Sequence, residues 1–185
     1  MTELDSLLDR NRHFAATAST SGELGRSLPD ALPLVKAIII GCADMRVDPA
    51  RVLNLKAGEA VVLRNIGGRV TPGLLAQLGL LGRIGQVANK IPGGGGEFHL
   101  IVLHHTDCGI TRLIENPQLL AQYFELDEAE LGTKAITDPR AAVTADVAAL
   151  RTTPGLPESW LLSGLVYDIA TGLVETIVPP QPVAL

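Results

Sequence analysis

Two apolar runs, each ending in a short stretch of metal-binding side chains, constrain this chain more than any other feature. The first, Leu34-Val35-Lys36-Ala37-Ile38-Ile39-Ile40, leads into Gly41-Cys42-Ala43-Asp44-Met45-Arg46. The second, Phe98-His99-Leu100-Ile101-Val102-Leu103, leads into His104-His105-Thr106-Asp107-Cys108-Gly109. Runs of this length suit strands of a parallel sheet that is covered on both faces. Open parallel sheets bind ligands beyond the carboxyl ends of their strands, where the strand order reverses. Neighbouring strands lie about 4.8 Å apart. If these two pair, Cys42, His105 and Cys108 converge on one point at the sheet edge. Two thiols and an imidazole are three ligands of the kind zinc takes, with a fourth position left to fill.

The rest of the chain supplies the other parts of such a sheet. Residues 2–18 read as a helix with Leu4, Leu7, Leu8 and Phe14 as candidate apolar contacts, and 19–33 as a surface connection. Asp48-Pro49, Thr71-Pro72, Asn116-Pro117 and Asp138-Pro139 each pair a capping residue with proline at the first helical position. Glu59–Arg64 reads as a second strand ending in the turn Asn65-Ile66-Gly67-Gly68. Trp160–Ile169 and Leu173–Val178 read as two more strands, linked too closely to be parallel. The alternation predicts an α/β fold with a mostly parallel sheet, order 2-1-3-4, an antiparallel fifth edge strand, and helices on both faces. One domain is expected over 1–185: an N-terminal helix and arm (1–33), an α/β core (34–178) and an irregular tail (179–185). Pro92–Gly96 precedes a strand rather than following one, which excludes a phosphate-binding loop.

Composition narrows the function. A net charge of -5 argues against a nucleic-acid surface, which would carry clustered Lys and Arg. The amino terminus is too charged for a signal peptide, and no apolar stretch reaches the roughly 18 residues a membrane span needs. A cytoplasmic location is expected, where the only two cysteines stay reduced rather than forming a disulfide. The mean hydropathy of +0.28 fits apolar surface buried between subunits.

Cys-x-Asp-x-Arg at 42–46 and His-x-x-Cys at 105–108, joined by Arg64-Asn65-Ile66-Gly67, resemble the β-class carbonic anhydrases. The closing Tyr167-Asp168-Ile169-Ala170-Thr171-Gly172 hairpin is similar to that of the short bacterial members. The resemblance spans about residues 4–178. It implies that Cys42, His105 and Cys108 ligate one zinc per chain and that Asp44 and Arg46 form an acid–base pair beside it. It also implies a homodimer or a dimer of dimers. Two features depart from the family pattern: Ile66 stands where alanine is usual, and Gln86–Gly96 looks like an insertion. The aromatic substrate-pocket residues of the larger members are not evident.

The expected activity is zinc-dependent reversible hydration of carbon dioxide to bicarbonate by a zinc-bound hydroxide. Two thiolates cancel the formal charge of zinc, so nearby positive charge must help acidify the water, and Arg46 is the obvious source. Asp44 either pairs with Arg46 and leaves the metal open, or binds the metal and closes it. Rival readings are a carbonyl sulfide or carbon disulfide hydrolase of the same family, a non-catalytic zinc-bound interaction protein, and a thiol redox protein. Asn65 and Gly67 are candidates for touching substrate, with turn formation as the alternative. His104 reads as a core or supporting group, His99 and His13 as structural, and Asp107 and Arg112, which flank the site in sequence, as either site residues or ordinary loop residues.

Overall fold

Strand β1 (Ala37–Cys42) has all six residues buried. Its three consecutive isoleucines suit a pleated surface that is packed on both sides. In the computed structural model, which describes residues 2–21, 25–88 and 95–184, β1 pairs in parallel with β2 (Ala60–Asn65) on one side and β3 (His99–His105) on the other. Strand β4 (Leu161–Tyr167) continues the sheet in parallel, and β5 (Val174–Pro182) closes it antiparallel. The order is β2-β1-β3-β4-β5, as the sequence pattern predicts. The chain steps from β1 to one side and then crosses to the other, so the order reverses between β1 and β3.

Residues alternate across the sheet. Ile38, Ile40, Leu100, Val102, Leu162 and Val166 face helices α4 (Pro72–Val87) and α6 (Pro139–Arg151), packing on Leu74, Leu78, Val143, Val147 and Leu150. Ala37, Ile39 and Leu103 face the opposite way, onto Val52, Leu53 and Leu55 in and after the short helix α3 (Pro49–Val52). Ile101, Leu165, Tyr167 and Val174 are only partly buried on that side. Asp48, Thr71 and Asp138 cap their helices by accepting from the backbone of Ala50, Leu74 and Arg140. Helix α5 (Pro117–Phe124) also starts at its predicted proline, but Asn116 gives it no side-chain cap.

The structure differs from the sequence pattern in several places. Helix α1 (Glu3–Ser21) runs past residue 18, and the expected connection contains helix α2 (Leu28–Ala31) and a 3-10 turn, Leu32–Leu34. The apolar residues expected to make contacts from α1, Leu4, Leu7, Leu8 and Phe14, are exposed. Strand β1 begins at Ala37 rather than Leu34. The expected irregular tail after Pro179 is strand as far as Pro182, because an edge strand tolerates prolines that have no ladder hydrogen bond to give. The Gln86–Gly96 insertion lies mostly in 89–94, outside the described residues.

A buried ion pair ties α6 to the site end of the sheet. Arg69 and Asp146 are each 1% exposed. Arg69 Nε donates to Asp146 Oδ2 at 2.7 Å and Nη2 donates to the Lys134 carbonyl at 2.6 Å. The Val70 amide donates to the same Asp146 oxygen at 3.3 Å, and His104 Nε2 lies 3.2 Å from it. The Arg69 guanidinium also sits 5.1 Å from the centre of the Phe124 ring. Burial opposes the charge on Asp146, but His104 and Arg69 outweigh it and lower its pKa. The stabilisation is therefore complete above the ordinary carboxylate range and lost as pH falls through the lowered folded value. Asp146→Ala should cost about 3–5 kcal/mol at neutral pH by leaving Arg69 buried and unpaired. Denaturant unfolding checks this, with the cost shrinking in strong acid; equal midpoints at neutral pH would contradict it.

Candidate metal centre

The β1–β3 pairing delivers the three predicted ligands to one place. Cys42 ends β1, His105 ends β3, and Cys108 opens the 3-10 turn Gly109–Leu113. Their ligand atoms all lie within 4.8 Å of one another, and all three residues are buried. The two sulfurs stand 3.6 Å apart and both thiols are free. That spacing is far too long for a disulfide, whose sulfurs lie about 2.05 Å apart. It is close to the roughly 3.8 Å between two sulfurs each 2.3 Å from a tetrahedral ion.

His105 is prepared for the same role. Its Nδ1 donates to the Thr106 carbonyl at 2.9 Å, which leaves the lone pair on Nε2. Nε2 itself is buried and has no hydrogen-bond partner among the described residues. An orphaned buried nitrogen costs free energy unless something binds it. Ionisation of the thiols points the same way. The hydrogen bond from Cys108 draws the Cys42 thiol down to about 4, against the penalty of burial. Cys108 is pushed up by its bond to Cys42 and by burial. One thiolate beside another needs a cation before both can ionise. The residues therefore fit a metal ion.

Beside the ligands, Asp44 carries a charge-assisted grip from Arg46. Arg46 Nε donates to Asp44 Oδ1 at 3.0 Å, Nη2 to Oδ2 at 2.7 Å, and the Arg46 amide to Oδ1 at 2.9 Å. These bonds hold the Asp44 carboxyl well below the usual carboxylate range. Asp44 Oδ2 lies 3.9 Å from His105 Nε2, next to the ligand cluster.

Other residues hold the frame. Arg64 Nε donates to the Cys42 carbonyl at 2.8 Å and Nη2 to the carbonyls of Asp44 and Val47, pinning the loop that carries Asp44 and Arg46. Asn65 spends its amide group on the turn: Nδ2 donates to the Arg69 carbonyl and Oδ1 accepts from the Arg69 amide, both at 2.7 Å. Gly67 takes φ 79° in the same turn, where a Cβ would lie 2.8 Å from Ile110. Both candidates for touching substrate thus have a turn role. Tyr123 donates to the Ile66 carbonyl at 2.7 Å, and burial pushes its phenol up to about 12, so it stays a donor. Sequence reasoning assigned no task to Tyr123 or Arg69, which show no local motif. It left Asp107 and Arg112 open between a site role and a loop role; Asp107 accepts from both Arg46 and Arg112. His104 is buried against Gly68 and Asp146, as a supporting group; His99 pairs with Glu97 and His13 lies on exposed α1.

Comparison with known proteins agrees with this arrangement. Residues 37–174 match the family described as carbonic anhydrase. The chain belongs to the carbonic anhydrase family. Beta-carbonic anhydrase 1 of Mycobacterium tuberculosis is 29% identical over 97% of this chain and 100% of its own length. The crystal structure of a carbonic anhydrase from Streptococcus mutans is 30% identical, with a TM-score of 0.67 over 96% of this chain and 98% of that one. A carbon disulfide hydrolase, 22% identical, shares the fold with a TM-score of 0.53 over 93% of this chain and 88% of its own. Ile66, the expected departure from the family pattern, is 51% exposed.

The approach of the turn to the ligand strand is testable. Gly68 has φ 67°, and a Cβ there would lie 2.8 Å from the Cys42 amide nitrogen and 2.9 Å from the Gly41 carbonyl carbon. Gly68→Ala should destabilise the fold by about 1–3 kcal/mol and weaken metal binding by displacing Cys42. Thermal unfolding and competitive metal titration check both effects; a neutral substitution would contradict the close approach.

Proposed function

We propose that this chain is a zinc enzyme that catalyses the reversible hydration of carbon dioxide to bicarbonate, holding one zinc on Cys42, His105 and Cys108. The observation that carries the reading is the convergence of two thiols and an unpartnered imidazole nitrogen beside a carboxylate that its arginine keeps charged. Thiolate and imidazole ligands at tetrahedral spacing suit zinc among the common divalent metals. Bound there, zinc would lower the pKa of a water to about 7 and so supply a nucleophile at neutral pH.

The chain's own residues do the rest. Asp44 is an ionised acceptor whose Oδ2 lies 3.9 Å from His105 Nε2. There it would accept a hydrogen bond from a water or hydroxide at the fourth position and so orient it. Arg46 balances the charge of Asp44, so the carboxylate adds little negative charge beside a metal whose own charge two thiolates would cancel. The apolar shell of Ile110, Leu120, Phe124 and Ile136 around the thiols lowers the local dielectric and strengthens these interactions. A carbonyl sulfide or carbon disulfide substrate is the second reading, favoured by the shared fold of the carbon disulfide hydrolase and by exposed Ile66 where the family has alanine.

We further read 1–185 as one domain, with 1–33 as an arm on the 34–178 core, working as a homodimer or a dimer of dimers in the cytoplasm. The exposed apolar face of α1 and the partly covered side of the sheet support the assembly. No described helix is long and apolar enough to cross a membrane.

Stopped-flow hydration of carbon dioxide, run beside turnover of carbonyl sulfide, tests the activity. Zinc-loaded protein should hydrate carbon dioxide faster than it hydrolyses carbonyl sulfide. Arg46→Ala should lose about 10- to 100-fold in activity while its zinc content stays unchanged. Fully loaded protein inactive at every pH would contradict the reading, and full activity in Arg46→Ala would remove the pair from the mechanism.

A further inference from the structure

The grip on Asp44 is itself gripped. Arg46 Nη1 donates to Asp107 Oδ2 at 2.9 Å, and Nη2 donates to the Asp107 backbone carbonyl, also at 2.9 Å. With its two bonds to Asp44, the guanidinium has bonds from all three nitrogens, spread over two carboxylates and a carbonyl. The other oxygen of Asp107 accepts from Arg112 Nη2 at 3.0 Å. The order across the mouth of the site is Arg112, Asp107, Arg46, Asp44.

Three observations single out Asp107. First, the Arg46 side chain is 42% exposed. A half-exposed ion pair is worth little alone, and gains weight when the geometry is bidentate or networked. Second, Asp107 has φ 52°, in the left-handed region that non-glycine residues seldom adopt. In that conformation its carboxylate and its own carbonyl both meet the same guanidinium. Strained backbone persists where surrounding contacts over-determine it, and it gathers at functional sites. Third, Asp107 sits between two predicted ligands, and the loop carrying it is fixed at its other end. The Thr106 amide donates to the Tyr167 carbonyl, and Thr106 Oγ1 accepts from the Ile169 amide. Arg46 is thus tied to the segment that follows the His105 strand as well as to its own loop.

We propose that Asp107 is a positioning residue for Asp44, acting through Arg46 with Arg112 as an outer brace. It fixes the guanidinium so that Asp44 stays clear of the fourth position at the metal. Released from Arg46, the Asp44 carboxylate, already 3.9 Å from His105 Nε2, would turn onto the ion and close the site. The proposal rests on the zinc reading of the site and assigns a task to two residues outside the ligand set and the Asp44–Arg46 pair.

The test compares wild type, Asp107→Asn, Arg112→Ala and Asp44→Asn, with the double variant of Asp107 and Asp44. Asparagine tolerates left-handed backbone, so Asp107→Asn removes charge without forcing the loop to move. Arg112 is 77% exposed, so its removal leaves the fold in place. Three readouts are taken: nitrogen-15 relaxation of the Arg46 Nε–H group in metal-free and zinc-loaded protein, the visible spectrum of cobalt-substituted protein, and kcat with KM. Asp107→Asn should keep one zinc per chain, free the Arg46 Nε–H group to move, and alter the cobalt spectrum. Its kcat should fall about tenfold or more with KM little changed. Arg112→Ala should do the same more weakly, within about fivefold. On the Asp44→Asn background, the Asp107 substitution should add less than about twofold, since both act through one carboxylate. An Arg46 side chain as ordered in Asp107→Asn as in wild type would overturn the proposal, and so would an equal loss on both backgrounds. If no variant hydrates carbon dioxide, the proposed function fails, and Arg46 order in metal-free protein still decides the clamp.

Discussion

Everything at this site depends on β1 and β3 lying side by side in parallel. Only that pairing brings a cysteine at the end of one strand to a histidine at the end of the other, with Cys108 three residues further on. The pairing follows from burial. Ile38, Ile39 and Ile40 in β1 and Leu100, Val102 and Leu103 in β3 are almost wholly removed from water. A register slip of one residue would turn each set to the wrong face of the sheet. The core therefore sets the ligand geometry, and the chemistry stands at the edge of a rigid element.

Around that edge the molecule spends polar groups on holding loops. Arg64 pins the loop after β1, Asn65 closes the turn after β2, and Thr106 ties the end of β3 to the end of β4. The buried Arg69–Asp146 pair then joins the β2 turn to α6 and, through His104, to the ligand strand itself. Two arginines that differ in exposure do different work. Arg69 is sealed in and fixes structure; Arg46 is half exposed and holds a carboxylate next to the Cys42–His105–Cys108 cluster.

Much of this was legible in the residues alone. Apolar runs ending at Cys42 and His105, with capping residues before four prolines, are local signals, and they led to the right sheet order and to three side chains that the fold brings together. What was not legible was set by distance in space. Nothing near Arg69 in sequence announces Asp146, and nothing near Arg46 announces Asp107, 61 residues away. Helix α1 is the opposite case: its leucines and Phe14 carry the mark of a buried face, yet within one chain they stay exposed. Strand β5 ran past its expected end because proline signals breakage in most settings and is harmless on a sheet edge.

The account stands or falls on one ion held by two sulfurs and one nitrogen. Zinc-edge X-ray absorption on protein of measured metal content reads that set directly. It should find one zinc per chain with two sulfur ligands, one imidazole nitrogen and one lighter ligand. Protein purified with ample zinc that contains none, or that binds it with no sulfur in the coordination sphere, would contradict the claim that Cys42, His105 and Cys108 form a metal centre.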